Sequence, residues 1–149
     1  MANTKISDLG DEIALSAKGQ VRIAALGNGI AKPGERVGIT DATGKVVGID
    51  IGSSEMYLGI LDKGYKTDID TAILDGQPCS IIIPIVGQTY RQWCTDPTGA
   101  VVSGLPHIFS ATAGNIVGAA ATNMNTAGVK CINKKALANT DRVGEFLEV

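Results

Sequence analysis

Among 149 residues the sequence has one histidine, one tryptophan and only six aromatic side chains in all. It also lacks a long apolar run, a basic cluster and any close pair of cysteines. Each shortage removes a class of function. The longest apolar stretch, 81–86, is interrupted by Pro84 and falls far short of the ~20 residues a membrane-spanning helix needs. Thirteen Lys and Arg against 15 Asp and Glu give a net charge of −2, and no basic run exceeds Lys134-Lys135. The electrostatic footprint of a nucleic-acid binder is therefore missing. The opening MANTKISDLGDE has no apolar signal core, which predicts a chain made and retained in a cytoplasm. Cys79, Cys94 and Cys131 form no CxxC pair, and His107 is 13 residues from the nearest of them. Neither a metal site nor a cofactor is expected. Each cysteine lies in an apolar or β-type segment and is expected to be a buried free thiol, with one disulfide plus a spare thiol as the alternative.

What is present points to strands. Apolar residues at 44% and charged residues at 19% exclude disorder by composition. Ile (17), Val (11) and Thr (12) outnumber Leu (9), so stiff β-branched side chains dominate. Nineteen glycines without a triplet period read as tight turns between short strands. The expected fold is all-β, a small barrel or sandwich of short antiparallel strands.

Residues 1–19 differ from the rest. Ile6, Leu9, Ile13 and Leu15 are irregularly spaced, and Gly10 interrupts any helix at a cost of roughly 1 kcal/mol relative to Ala. This segment is expected to be a flexible N-terminal arm, with 20–149 as a single β domain. From Gln20 onward, β-type runs alternate with turn signals every 8–12 residues. The runs are 21–26, 35–40, 45–51, 56–61, 68–74, 78–86, 89–95, 100–104, 115–122, 128–133 and 142–149. Asp75-Gly76 is the strongest hairpin signal. Pro84 predicts an edge or a bulge in its run. NKKALAN (133–139) is the best helix candidate.

An internal echo joins 36–47 to 91–102 at an offset of 55 residues, with seven identities that include Asp41/Asp96 and Gly44/Gly99. Both segments predict a strand, an Asp-x-x-Gly turn and a return strand, with Asp41 and Asp96 capping and Gly44 and Gly99 supplying the left-handed residue. The echo reflects either two related halves or convergent turn chemistry. Turn capping is the expected role of the aspartates, because no calcium-loop pattern accompanies them.

Catalytic chemistry has few places to reside, and no catalytic residue is assigned. His107 falls in a loop-like GLPHIF segment with no nucleophile elbow to partner it. Asp68 and Asp70 share one face of a presumed strand, where solvated charge against edge pairing is the simpler reading than a carboxylate pair. Gly27-Asn28-Gly29 completes no phosphate-loop pattern. Trp93 beside Arg91 reads as a core or interface anchor before a stacking platform. GILDKGYKTD (59–68) is faintly similar to a fragment of the trimeric β-fold enzymes that hydrolyse dUTP, whose phosphate-binding motifs are missing.

The second half carries a more extended likeness. WCTDPTGAVVSG (93–104), then NIVGAAATNMNTAGVKCI (115–132), resembles the small β-barrel decoration, or cement, proteins of tailed-phage heads. The matching positions are Ile116, Val117, Gly118, Ala119, Ala127, Gly128, Val129 and Cys131, and AKPGERVGITDATGKVV (31–47) fits the same habit. The resemblance implies no catalytic residues and no cofactor. It implies a homotrimer on the outer surface of a capsid, bound to the major capsid protein, with assembly in a host cytoplasm. In that picture Ile6, Leu9, Ile13 and Leu15 of the arm bury apolar area against the shell. A head-fibre base or tail component is the neighbouring alternative, and a small sugar-binding module or an enzyme the more distant ones.

Overall fold

The computed structural model describes residues 12–15, 19–40, 42–63, 68–95, 104, 106–118, 131–134 and 143–149. Among the described residues ten strands form, in chain order β1 (Val21–Leu26), β2 (Arg36–Ile39), β3 (Val46–Gly48), β4 (Gly59–Leu61), β5 (Pro78–Ile83), β6 (Thr89–Trp93), β7 (Pro106–Phe109), β8 (Ile116–Gly118), β9 (Cys131–Asn133) and β10 (Val143–Glu148). No helix occurs among the described residues, so the fold is all-β as expected. Lys134 falls in a bend, and residues 135–139 of the helix candidate lie outside the described residues.

The strands divide into two five-stranded sheets, ordered β1-β5-β4-β2-β3 and β6-β10-β9-β7-β8. Replacing β1 through β5 by β6 through β10 turns the first order into the second. The registers repeat as well. Val37↔Gly48 in the first sheet corresponds to His107↔Gly118 in the second, Arg36↔Ile60 to Pro106↔Ile132, and Arg22↔Ile82 to Thr89↔Leu147. Among the described residues the ladders are antiparallel, and in each sheet the outer strands are drawn together at a parallel bridge, Leu26↔Lys45 and Cys94↔Ile116. The sheets curl toward barrels without closing fully.

The chain is therefore built from two halves of the same topology, and the repeat runs at an offset of 70 residues through β2–β3 and β7–β8. Gly34/Gly104, Gly44/Gly114, Val47/Val117 and Gly48/Gly118 are identical across it. Gly44 (φ 68°) and Gly114 (φ 85°) sit in the turn between the paired strands, in the left-handed region that L side chains enter only at a cost. The echo at offset 55 is a likeness of turn chemistry, because Arg36 lies in β2 and Arg91 in β6, which are not equivalent strands. The first of its hairpins forms: Thr40 N–H donates to the Lys45 carbonyl (3.0 Å) and Gly44 N–H to the Thr40 carbonyl (3.1 Å). Asp41, Asp96 and Gly99 lie outside the described residues.

Three buried clusters follow from the period of two along the strands. Val37, Val46, Leu61, Ile73 and Ile81 fill the first half. Cys94, Phe109, Ile116, Cys131 and Phe146 fill the second, joined by Ile49 from the first. Ile13, Ile60, Ile69, Ile82, Tyr90, Trp93 and Val143 form a third cluster between them. Neighbours in one strand thus serve different cores: Leu61 and Ile81 point into the first half, Ile60 and Ile82 toward the second. Burial on both faces is why 81–83 reads as a continuous apolar run. Backbone bonds tie the halves together, Arg36 N–H donating to the Gly114 carbonyl (2.8 Å) and Gly114 N–H to that of Ile49 (2.9 Å).

Several local expectations are corrected. Pro84 is neither on an edge strand nor in a bulge. β5 is central, paired with both β1 and β4, and it ends at Ile83, just before the residue without an N–H. Residues 68–74 form no strand but a turn at 69–70 and a bend at 71, with Asp68 Oδ1 accepting the Asp70 N–H (2.9 Å) and the Thr71 hydroxyl (2.8 Å). The Thr71 hydroxyl, with the Asp70 N–H, holds the Asp68 carboxyl below its usual range. The Asp75-Gly76 turn forms, with Gln77 N–H donating to the Leu74 carbonyl (3.0 Å), although only β5 follows it as a strand.

Candidate functional site

The first place to look for chemistry is the junction of the two halves. Arg36 enters it from β2 with no solvent-exposed surface. Its guanidinium makes a bidentate pair with Glu148 of β10 (Nη2–Oε2 2.8 Å, Nη1–Oε1 3.2 Å), donates through Nε to Gln92 Oε1 of β6 (2.6 Å), and bonds the Tyr57 hydroxyl. The planar fork of arginine suits a carboxylate better than a lysine point charge would. Around this knot burial pushes the Tyr57 phenol and the Cys131 thiol each up to about 12, against the pull of Arg36. Both are held protonated at neutral pH. Cys131 is therefore a packing residue without thiolate character. The ion pair is internal to the fold, its donors spent on Glu148, Gln92 and Tyr57, with Gln92 Nε2 left buried and unbonded among the described residues.

The single histidine belongs to the same region and corrects its expected placement in an exposed loop. His107 is buried in β7, with its ring edge-on to Phe146 at 4.8 Å between centroids. Trp93 is an anchor: its indole N–H donates to the Pro33 carbonyl (2.9 Å), and Lys32 Nζ lies 4.7 Å from the ring centroid. All three cysteines are free thiols, Cys94 and Cys131 buried and Cys79 half-buried. Among the described residues no three His, Cys, Asp or Glu side chains gather as metal ligands. In the fragment similar to the dUTP-hydrolysing enzymes, Asp62 pairs with Arg22 (2.9 Å), while 64–67 lie outside the described residues.

Glu35 precedes β2 and packs against the second half so closely that a Cβ on Gly114 would lie 2.2 Å from its Oε2. Burial raises its pKa to about 7, against the Lys32 backbone N–H and ammonium, which pull it down. Because the folded protein holds this proton more tightly than the unfolded chain does, Glu35 destabilises the fold progressively as pH rises from about 4.5 to about 7. Glu35→Gln is expected to be the more stable protein at pH 8, by up to roughly 3 kcal/mol, and equal to the parent at pH 4. Urea midpoints of the two proteins at both pH values check this.

The arm residues divide. Ile6 and Leu9 lie outside the described residues. Ile13 is completely buried in the cluster between the halves, so its side chain offers no surface to a partner, contrary to the expected arm contact. Leu15 is half-buried. Residues 13–15 run along the outer edge of β6: Arg91 N–H donates to the Ile13 carbonyl (2.8 Å), Leu15 N–H to the Thr89 carbonyl (2.9 Å), and Ala14 bridges Tyr90.

Outward-facing apolar side chains sit instead on turns that are firmly held. The loop 27–31 and the turn 73–77 at one end of the first half are bonded to each other. Gly27 N–H donates to the Gln77 carbonyl (2.8 Å), Gly29 N–H to that of Ile73 (2.9 Å), and Gly76 N–H to that of Gly27 (2.9 Å). Asn28 Oδ1 accepts the N–H groups of Ile30 (2.9 Å) and Ala31 (2.8 Å). This pair of loops carries Ile30, 78% exposed, and Leu74, 68% exposed. Elsewhere Ile39, Thr40, Ala42, Ser54, Glu55, Met56 and Leu58 line a shallow groove of about 700 Å³. The sequence signal for the loop pair was the repeated Gly-Asn-Gly and Asp-Gly turn chemistry, read without its apolar flanks. Compared with known proteins, the chain matches no family model and no curated protein.

Proposed function

We propose that the protein is a structural component of a virus particle, a decoration protein that adheres to the outer surface of the capsid. The sequence likeness to phage cement proteins supports this reading. The structural observation that carries it is the loop pair holding Ile30 and Leu74 out into solvent on a hydrogen-bonded frame. Apolar side chains on a pre-organised support lose little conformational entropy when a partner covers them. Full burial of each contributes about 1.5–3 kcal/mol, and repetition of the contact over a shell multiplies the effect.

Co-sedimentation with expanded capsids of the virus that encodes the chain tests the proposal. The parent protein is expected to pellet with capsids. Ile30→Asp/Leu74→Asp, which changes only exposed positions, is expected to bind at least about 30-fold more weakly while keeping its thermal unfolding midpoint. A parent protein that stays in the supernatant at saturating capsid overturns the reading. Binding unaffected by the double substitution removes the loop pair from it.

A further inference from the structure

The two halves share a topology, but their equivalent edges are treated differently. In β6, Thr89, Arg91 and Trp93 turn their backbone groups away from β10, and all three positions are used. The Thr89 carbonyl accepts from Leu15, Arg91 N–H donates to Ile13, and Trp93 N–H donates to the Gly34 carbonyl (3.3 Å). The equivalent positions in β1 are Arg22, Ala24 and Leu26. Gly27 N–H bonds toward the β5 side while Leu26 N–H donates outward to the Gly44 carbonyl (3.2 Å), so the even-numbered residues of β1 face away from β5. Leu26 is satisfied there. Among the described residues, the outward N–H and C=O groups of Arg22 and Ala24 have no partner.

Native edges are ordinarily guarded by lysine, proline, a bulge or an inward charge. VRIAAL has none of these. Its one charge, Arg22, is paired within the chain to Asp62 (2.9 Å). Its six residues make β1 one of the longest strands in the molecule, and Val21, Arg22 and Ala24 are exposed along it.

We propose that this edge is an interface for a second copy of the chain, β1 pairing antiparallel with β1 of its twofold mate. Only one register uses the free groups on both sides. Placing Ile23 on the twofold axis sets Arg22 opposite Ala24 of the mate and Ala24 opposite Arg22 of the mate. Four backbone hydrogen bonds form, two from each copy, and no backbone group already in use is disturbed. A shift that sets Arg22 opposite its own copy places like charges face to face, which is unfavourable. A shift the other way requires Leu26, whose N–H is taken by Gly44. The selected register is isologous and closes at two copies, which avoids open-ended edge-to-edge growth. The β6 edge provides the precedent within the same chain, since a strand segment added at the equivalent positions is stable there.

This inference stands apart from the capsid reading and is tested without capsids. Sedimentation equilibrium of the full-length chain is expected to show a species of twice the 15.3 kDa chain mass. Ala24→Pro removes one outward N–H per copy and leaves the β1–β5 ladder intact, because the lost donor faces away from β5. It is expected to weaken dimerisation at least tenfold. Ala24→Lys sets a cation opposite Arg22 of the mate and is expected to do the same with an unchanged far-ultraviolet circular dichroism spectrum. Ala24→Glu sets an anion there and is expected to dimerise as well as the parent or better. Opposite results from Lys and Glu at one exposed site read the register itself. A monomeric parent protein, or an oligomer insensitive to both Pro and Lys, overturns the interface. Equal weakening by Lys and Glu overturns the register.

Discussion

Glu148→Ala is expected to lower the stability of the protein by about 3–5 kcal/mol, the range found when one partner of a buried ion pair is removed. The direction follows from burial: Arg36 has no exposed surface, and after the substitution its charge stays among Tyr57, Gln92 and Cys131 without a counter-ion. Arg36→Ala is expected to be comparably damaging for the complementary reason, since the Glu148 carboxylate, the Gln92 oxygen and the Tyr57 hydroxyl all lose a donor at once. Replacing both charges, as Arg36→Met/Glu148→Leu, is expected to cost less than either single alanine substitution. The apolar pair leaves no buried charge without a counter-ion, so the remaining cost is that of the Gln92 oxygen and the Tyr57 hydroxyl, which still lose their donor. Urea titrations of the parent and the three variants make the comparison. If the double substitution were as damaging as the sum of the singles, the knot would contribute net stability and the argument from desolvation would fail.

The position of this pair explains its presence better than its energy does. Arg36 comes from β2 of the first half, and Glu148 and Gln92 come from β10 and β6 of the second. Any docking of the halves that parted Arg36 from Glu148 would leave a buried charge without its partner. A charged group with one bidentate partner accepts a single docking. Core burial supplies adhesion between the halves, and the pair restricts its geometry.

Parts of the molecule are legible in the sequence and others are not, according to whether local pattern and tertiary role agree. β1 and β10 coincide closely with apolar runs bounded by Gly, Asp and Arg, where local pattern and tertiary role agree. β7 was not legible. PHIF begins with proline and follows a Gly-Leu turn signal, so it reads as loop, yet Pro106 opens the strand, a position strands tolerate. That reading also misplaced His107. The repeat is hidden in the sequence, because the seven identities at offset 55 outnumber the four at offset 70, although only offset 70 aligns equivalent strands. Nothing local marks Arg36 as buried. It follows Glu35 in a run that reads as half-polar, and its partners Gln92 and Glu148 are 56 and 112 residues away. The Ile30 and Leu74 surface was hidden for a similar reason, since an isoleucine and a leucine beside turns look the same in sequence whether they face inward or outward.

Ile13 is where that ambiguity has the largest consequence. Read from spacing alone it belongs with Ile6 and Leu9 on an arm, and its truncation would be harmless to the fold. In the structure it fills space between Ile60, Ile69, Ile82, Tyr90, Trp93 and Val143, with side chains from both halves around it. Ile13→Ala is therefore expected to cost about 2–5 kcal/mol, the transfer free energy of the lost carbons plus the cavity that a close-packed interface between two sheets fills only in part. Leu15→Ala, at a half-buried position two residues on, is expected to cost clearly less. Thermal and urea unfolding of both variants distinguish the two pictures. A free arm predicts two silent substitutions, whereas a strand segment locked onto β6 predicts a large loss at position 13 and a small one at 15. The comparison also bears on attachment to a capsid. A variant weakened at Ile13 loses binding through unfolding, so any test of the N-terminal segment as a grip must leave residues 12–15 in place.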